Sequence, residues 1–136
     1  MASDRIWGDP KKQVVLLDTN AIMMMFEFHV NIDDELTRIL GSYHIYVPER
    51  VLKELKTLSS LGKGKQRRLA KASLQLASIY EIYAGFSDLD GDDAVIAAAE
   101  ESSGIVVTND RELRKRLREK HIQSIFLRGK HHLMLE

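Results

Sequence analysis

The 136-residue sequence contains no cysteine, one tryptophan and two prolines. Without thiols there is no disulfide, no zinc–thiolate site and no cysteine nucleophile, so any metal must be held by oxygen or imidazole. No stretch approaches the roughly 20 apolar residues that a membrane span requires, and the N-terminus lacks an apolar signal segment. The expectation is a soluble, cytoplasmic protein with no membrane association. Net charge is absent too, since 20 basic side chains balance 20 acidic ones. That balance hides a pattern. Residues 63–68 (KGKQRR) and 111–120 (RELRKRLREK) concentrate positive charge, while Asp88, Asp90, Asp92 and Asp93 form an acidic cluster. An acidic site flanked by basic segments suits an enzyme whose substrate is a polyanion.

What is present is enough apolar material for a core: 44% of residues are hydrophobic and 29% charged. The length fits one domain over residues 1–136, with residues 1–12 a polar, loose lead-in. Residues 14–18 (VVLLD) read as a short buried strand that ends in a carboxylate. Helices are predicted over 20–28, 33–40, 49–58, 91–103 and 110–120. Further strands are predicted over 44–47, 79–83, 105–108 and 122–127. Residues 59–65 (SSLGKGK) have the composition of a surface loop that leads into another helix ending near residue 77. Residues from 129 onward, including His131 and His132, read as a tail. Strands alternating with helices imply an α/β fold with a parallel sheet, whose first strand tends to lie centrally with its C-terminal end at the switch point.

Asp18 therefore stands where open α/β sheets place their chemistry, although capping of the next helix would also explain it. Asp92 and Asp93 open one later helix and Asp110 another. Glu54 sits among Val51, Leu52 and Leu55 on a partly inward helix face, unusual for a Glu without a partner. If the strand at 105–108 lies beside the first, these acids converge on one crevice. Crowded carboxylates repel and raise one another's pKa. A hard divalent cation, Mg²⁺ or Mn²⁺, relieves that repulsion.

Four segments in order carry a family resemblance: LLDTNAI (residues 16–22), VLKEL (51–55), GDDAVIAAA (91–99) and VVTNDREL (106–113). Through them the chain resembles the PIN-domain ribonucleases of the VapC-like and rRNA-processing-like kinds. The resemblance implies a three-layer α/β/α sandwich with a Rossmann-like, roughly five-stranded parallel sheet. It also implies that Asp18, Glu54, Asp93 and Asp110 form the catalytic, metal-holding cluster, with Asp18 and Asp93 on one Mg²⁺ or Mn²⁺. Asn20, Thr108, Asp92 and Glu112 are the supporting residues. Asp93 takes precedence over Asp92 because Asp93 begins the D-x-x-I-A-A pattern of the family's helical acid. The implied activity is endoribonucleolytic hydrolysis of single-stranded RNA. The role is that of a toxin of a toxin–antitoxin pair, with an antitoxin partner and a homodimeric state. An rRNA-processing nuclease or a catalytically silent RNA- or protein-binding module is the alternative. Lys63, Lys65, Arg67, Arg68, Arg111 and Arg114 are the candidate RNA contacts. A phosphatase built on D-x-D is disfavoured because position 20 is Asn.

Overall fold

The computed structural model describes residues 12–136. Strands β1 (Gln13–Leu17), β2 (Tyr43–Pro48), β3 (Glu81–Tyr83), β4 (Ile105–Val107), β5 (Ser124–Arg128) and β6 (His132–Leu135) form one sheet in the order β3-β2-β1-β4-β5-β6. Every pairing is parallel except β5 with β6. Helices α1 (Thr19–Phe28), α2 (Ile32–Leu40), α3 (Glu49–Leu61), α4 (Gly64–Ala77), α5 (Gly91–Ser102) and α6 (Arg111–Glu119) connect and cover it.

The central strands show why the sheet needs cover on both faces. Consecutive side chains point to opposite faces of a strand, yet Val15, Leu16 and Leu17 of β1 are all fully buried. Ile105, Val106 and Val107 of β4 are buried as well. A strand with no solvent face reads as a continuous apolar run, as in parallel sheets clad by helices. β1 lies between β2 and β4, and the chain order reverses there. The crevice beyond its C-terminal end is therefore the switch point of the fold.

Two expectations are corrected by the structure. The sheet has six strands rather than about five, because the expected tail pairs with β5 as an antiparallel hairpin. Its register is set by contacts remote in sequence: Leu133 is fully buried, Glu35 accepts from the Leu133 N–H at 2.8 Å, and Arg38 donates to its carbonyl at 2.7 Å. The expected loop at 59–65 is mostly helix, with α3 ending at Leu61 and α4 beginning at Gly64. The break falls at Gly62, where a β-carbon would stand 2.4 Å from the Leu58 carbonyl oxygen. Only glycine fits that turn, so the two helices fold into a packed hairpin. Residues 79 and 80 precede β3 rather than joining it. Among the described residues no helix is long and apolar enough to cross a membrane.

Candidate active site

A cleft of about 180 Å³ opens at the switch point, lined by residues that include Asp18, Thr19, Arg50, Glu54, Asp92 and Asp110. Four separate elements deliver its four carboxylates. Asp18 follows β1 and caps α1, its Oδ1 accepting from the Ala21 N–H at 2.7 Å. Asp110 follows β4 and caps α6, its Oδ1 accepting from the N–H groups of Glu112 at 2.9 Å and Leu113 at 3.1 Å. The capping explanation and the functional one thus coexist, because each carboxylate engages its helix through a single oxygen. Glu54 reaches across from α3 until its Oε2 lies 3.4 Å from where a β-carbon of Gly91 would be. A β-carbon at the start of α5 would thus meet that carboxylate at van der Waals distance. Asp92 comes from the first turn of α5.

Burial and like charge set the electrostatics. Asp18 is only 7% exposed, and its pKa is pushed up to about 7, mainly by loss of hydration and then by the negative charges of Asp92 and Asp110. Hydrogen bonds from Thr108 and the Ala21 amide offset part of that rise. Asp92 is shifted upward as well, first by burial and then by Asp110 and Glu54, with Arg116 opposing.

The neighbouring acid behaves differently. Asp93 does not line the cleft; its Oδ1 accepts from Arg116 Nη2 of α6 at 2.5 Å. Of the two adjacent acids, it is Asp92 that lines the cleft. Successive residues on a helix project about 100° apart, and Val95, Ile96 and Ala99 fix the inward face of α5 so that Asp92 enters the crevice. A repeat of apolar residues this dense leaves the phase of the helix ambiguous from sequence.

The supporting residues hold the β4–α6 loop. Thr108, fully buried, accepts from the Asp110 N–H through Oγ1 at 3.0 Å. Asn20 Oδ1 accepts from the Asn109 N–H at 3.1 Å. Asn109, which sequence reasoning passed over, accepts from the Leu127 N–H at 2.6 Å and so ties the loop to β5. Glu112 is exposed on the first turn of α6 and does not reach the cleft.

None of the six candidate RNA contacts lines the cleft. Lys65 pairs with Glu27 at 2.6 Å, and Arg67 Nε donates to the Ser59 carbonyl at 3.2 Å. Arg114 is engaged internally, pairing with Glu136 at 2.7 Å while lying 3.9 Å from the centre of the Phe126 ring. Lys63, Arg68 and Arg111 are exposed. The basic residue that does enter the cleft is Arg50, on α3 one turn before Glu54. Its signal was available: it follows the end of β2, as Asp18 follows β1.

A divalent cation fits this donor set. Every acidic ligand candidate is a hard oxygen donor, and the raised pKa of Asp18 marks a carboxylate that burial first, and like charges second, hold short of a counter-charge. The ligands are not closed around a point, however: among the described residues no three acidic or imidazole side chains form a ready cluster. Glu54 and Asp110 are exposed, and Asp110 keeps its Oδ2 clear of the cap bonds made by Oδ1.

Comparisons with known proteins give the family and the fold. The described chain matches the PIN-like domain family over residues 15–130. Ribonuclease VapC9 of Archaeoglobus fulgidus is 26% identical over 126 residues, covering 93% of this chain and 91% of that protein. Ribonuclease VapC4 of Methanocaldococcus jannaschii is 29% identical over 123 residues, covering 85% and 91%. Among solved structures, the PIN domain endonuclease Utp24 superposes with a TM-score of 0.73 at 20% identity, covering 90% of each chain. A domain of a functionally unknown protein from M. jannaschii gives 0.65 at 18% identity, covering 86% of this chain and 92% of that one. At such identities the likeness is one of fold, whereas the family match takes in the parallel strands and every residue of the cleft: this chain belongs to the PIN-like domain family.

Proposed function

We propose that the protein is a Mg²⁺- or Mn²⁺-dependent endoribonuclease that hydrolyses phosphodiester bonds in single-stranded RNA, acting as the toxin of a toxin–antitoxin pair. The observation that carries the reading is the meeting of Asp18, Glu54, Asp92 and Asp110, from four elements, in one cleft at the switch point of the sheet. Two relatives that align over nearly their whole length are named ribonucleases of the VapC series, which supports both the RNA substrate and an antitoxin partner.

The chain's own residues divide the work. Asp18, Asp92, Glu54 and Asp110 would hold the ion, with Asp92 taking the place that the sequence pattern gives to Asp93. When bound, the ion supplies a Lewis acid for the phosphate oxygens and lowers the pKa of water. Thr108 and Asn20 keep Asp110 at the mouth of the cleft through the β4–α6 loop. Asp18, with a pKa pushed up to about 7, would have to be deprotonated to hold a cation, so metal affinity would rise as pH climbs through neutrality. In-line attack by water on the phosphorus, with the P–O3′ bond breaking and the 3′-oxygen taking up a proton, would give a 5′-phosphate and a 3′-hydroxyl.

The test is cleavage of an end-labelled single-stranded RNA with Mn²⁺ by the wild type and Asp18→Asn. The variant keeps a good helix cap and should lose about 100-fold or more in rate while melting as a folded protein. Undiminished cleavage by Asp18→Asn would remove the mechanism.

A further inference from the structure

The cleft contains a cation that its carboxylates leave alone. Arg50 stands one turn from Glu54 on α3, yet it forms no ion pair among the described residues. Its Nε is buried without a hydrogen-bond partner, and so is Oγ1 of Thr19 on the same cleft. Only three side-chain polar atoms among the described residues are in that condition, and two of them meet here. The third, on Ser73, belongs to α4.

Local energetics do not favour an Arg in this place. A buried N–H without an acceptor is destabilising. A cation in the first turn of a helix also opposes the macrodipole. An Arg preceding a Glu by four residues is the weaker order for a helical ion pair. Nor does Arg50 act as the counter-ion of the acidic cluster, since the cation that draws down the pKa of Asp92 is Arg116. Two unsatisfied donors beside a set of acids call for a ligand rich in acceptor oxygens. A phosphodiester meets that need, and the planar guanidinium suits its geometry.

We propose that Arg50, assisted by the Thr19 hydroxyl, grips a non-bridging oxygen of the RNA phosphate in the cleft, so that one wall holds substrate while the acids hold the ion. This rests on the nuclease reading above. It makes Arg50 the residue that lets an anionic substrate approach four carboxylates.

The experiment separates the two ideas by measuring RNA binding and metal binding independently. Binding of a fluorescent single-stranded RNA oligonucleotide is followed in the cleavage-deficient Asp18→Asn background, with and without Arg50→Gln, across a salt series. Loss of one charged hydrogen bond should weaken binding about 10-fold or more. The slope of log affinity against log salt should become shallower by about 0.7, the value for one phosphate contact on a single strand. Arg50→Lys should restore the slope but not the full affinity. Thermal stabilisation of Arg50→Gln by Mn²⁺ alone should persist undiminished, a result that a merely structural role for Arg50 would not give. Unchanged RNA affinity and slope in Arg50→Gln, with Mn²⁺ stabilisation intact, would overturn the phosphate role and leave the nuclease reading standing. A wild type that neither gains stability from Mn²⁺ nor cleaves RNA would sink that reading, and this proposal with it. If Arg50→Gln does not fold, Arg50→Lys decides: full affinity in that variant refutes the fork.

Discussion

The cleft and the β5–β6 corner handle negative charge in opposite ways. At the corner each acid is matched. Glu136 accepts from Arg114, Arg118 and Ser124, and its pKa is pulled down, first by the Arg118 hydrogen bond. Glu35 is likewise drawn down, chiefly by Arg38. In the cleft, burial and like charges push Asp18 and Asp92 the other way, and Arg50, which lines it, forms no ion pair with them among the described residues. Evolution of a stable scaffold alone would pair or remove such acids, as the corner does. The difference identifies which end of the sheet is built to be completed by something outside the chain.

The sharpest division of that kind runs between adjacent residues. Asp92 faces the cleft and Asp93 faces Arg116. Asp92→Asn should lower Mn²⁺-dependent RNA cleavage by about 1,000-fold, about 4 kcal/mol of barrier. Asp93→Asn removes only a half-exposed ion pair and should leave the rate within about 3-fold, with a stability change below about 1 kcal/mol. Equal losses in the two variants would erase the distinction between a cleft acid and a framework acid.

Next in size is the stability cost of Asp18. Its folded pKa of about 7 lies above the ordinary 3.8, so the native state binds the extra proton between those values. Stability therefore falls as pH rises through that window, and the full penalty is present above pH 7. Without metal, Asp18→Asn should be more stable than the wild type by at most about 4 kcal/mol at pH 8. The advantage should vanish below about pH 4. Denaturant melts at the two pH values check this. With Mn²⁺ the order should reverse, because only the wild type gains binding energy.

How far these features could be read in advance depended on where their causes lie. The α/β class, β1 and the burial of β4 follow from short apolar runs, which are local. Asp18, Asp93 and Asp110 sit at element junctions and Glu54 on an inward helix face, and Asp18, Glu54 and Asp110 all line the cleft. Choosing between Asp92 and Asp93 required the rotation of α5, which is set by packing against β1, β2 and β4. β6 stayed hidden for a similar reason. Its one fully buried side chain, Leu133, sits among exposed His132, Met134 and Leu135, and its other anchors come from Glu35 and Arg38 on α2. Arg114 looked like an RNA contact because its partner, Glu136, lies 22 positions away. Charge runs reveal composition; only the fold reveals which charges are already matched.

The smallest effect supplies the control. Glu136 has a pKa held below its ordinary 4.5, so its contribution is present above that value and is lost as pH falls through the folded one. Glu136→Gln should cost less than about 1 kcal/mol at pH 8, since the pairs with Arg114 and Arg118 are partly exposed. Arg114 would keep its contact with Phe126, which limits the loss. Below the folded pKa the variant and wild type should coincide. Asp18→Asn and Glu136→Gln thus move stability in opposite directions at pH 8 and approach the wild type together in acid. Paired melts across pH would show this as two curves converging from opposite sides. Two curves on the same side would mean that the cleft's acids are matched after all, and that no external cation is required to explain them.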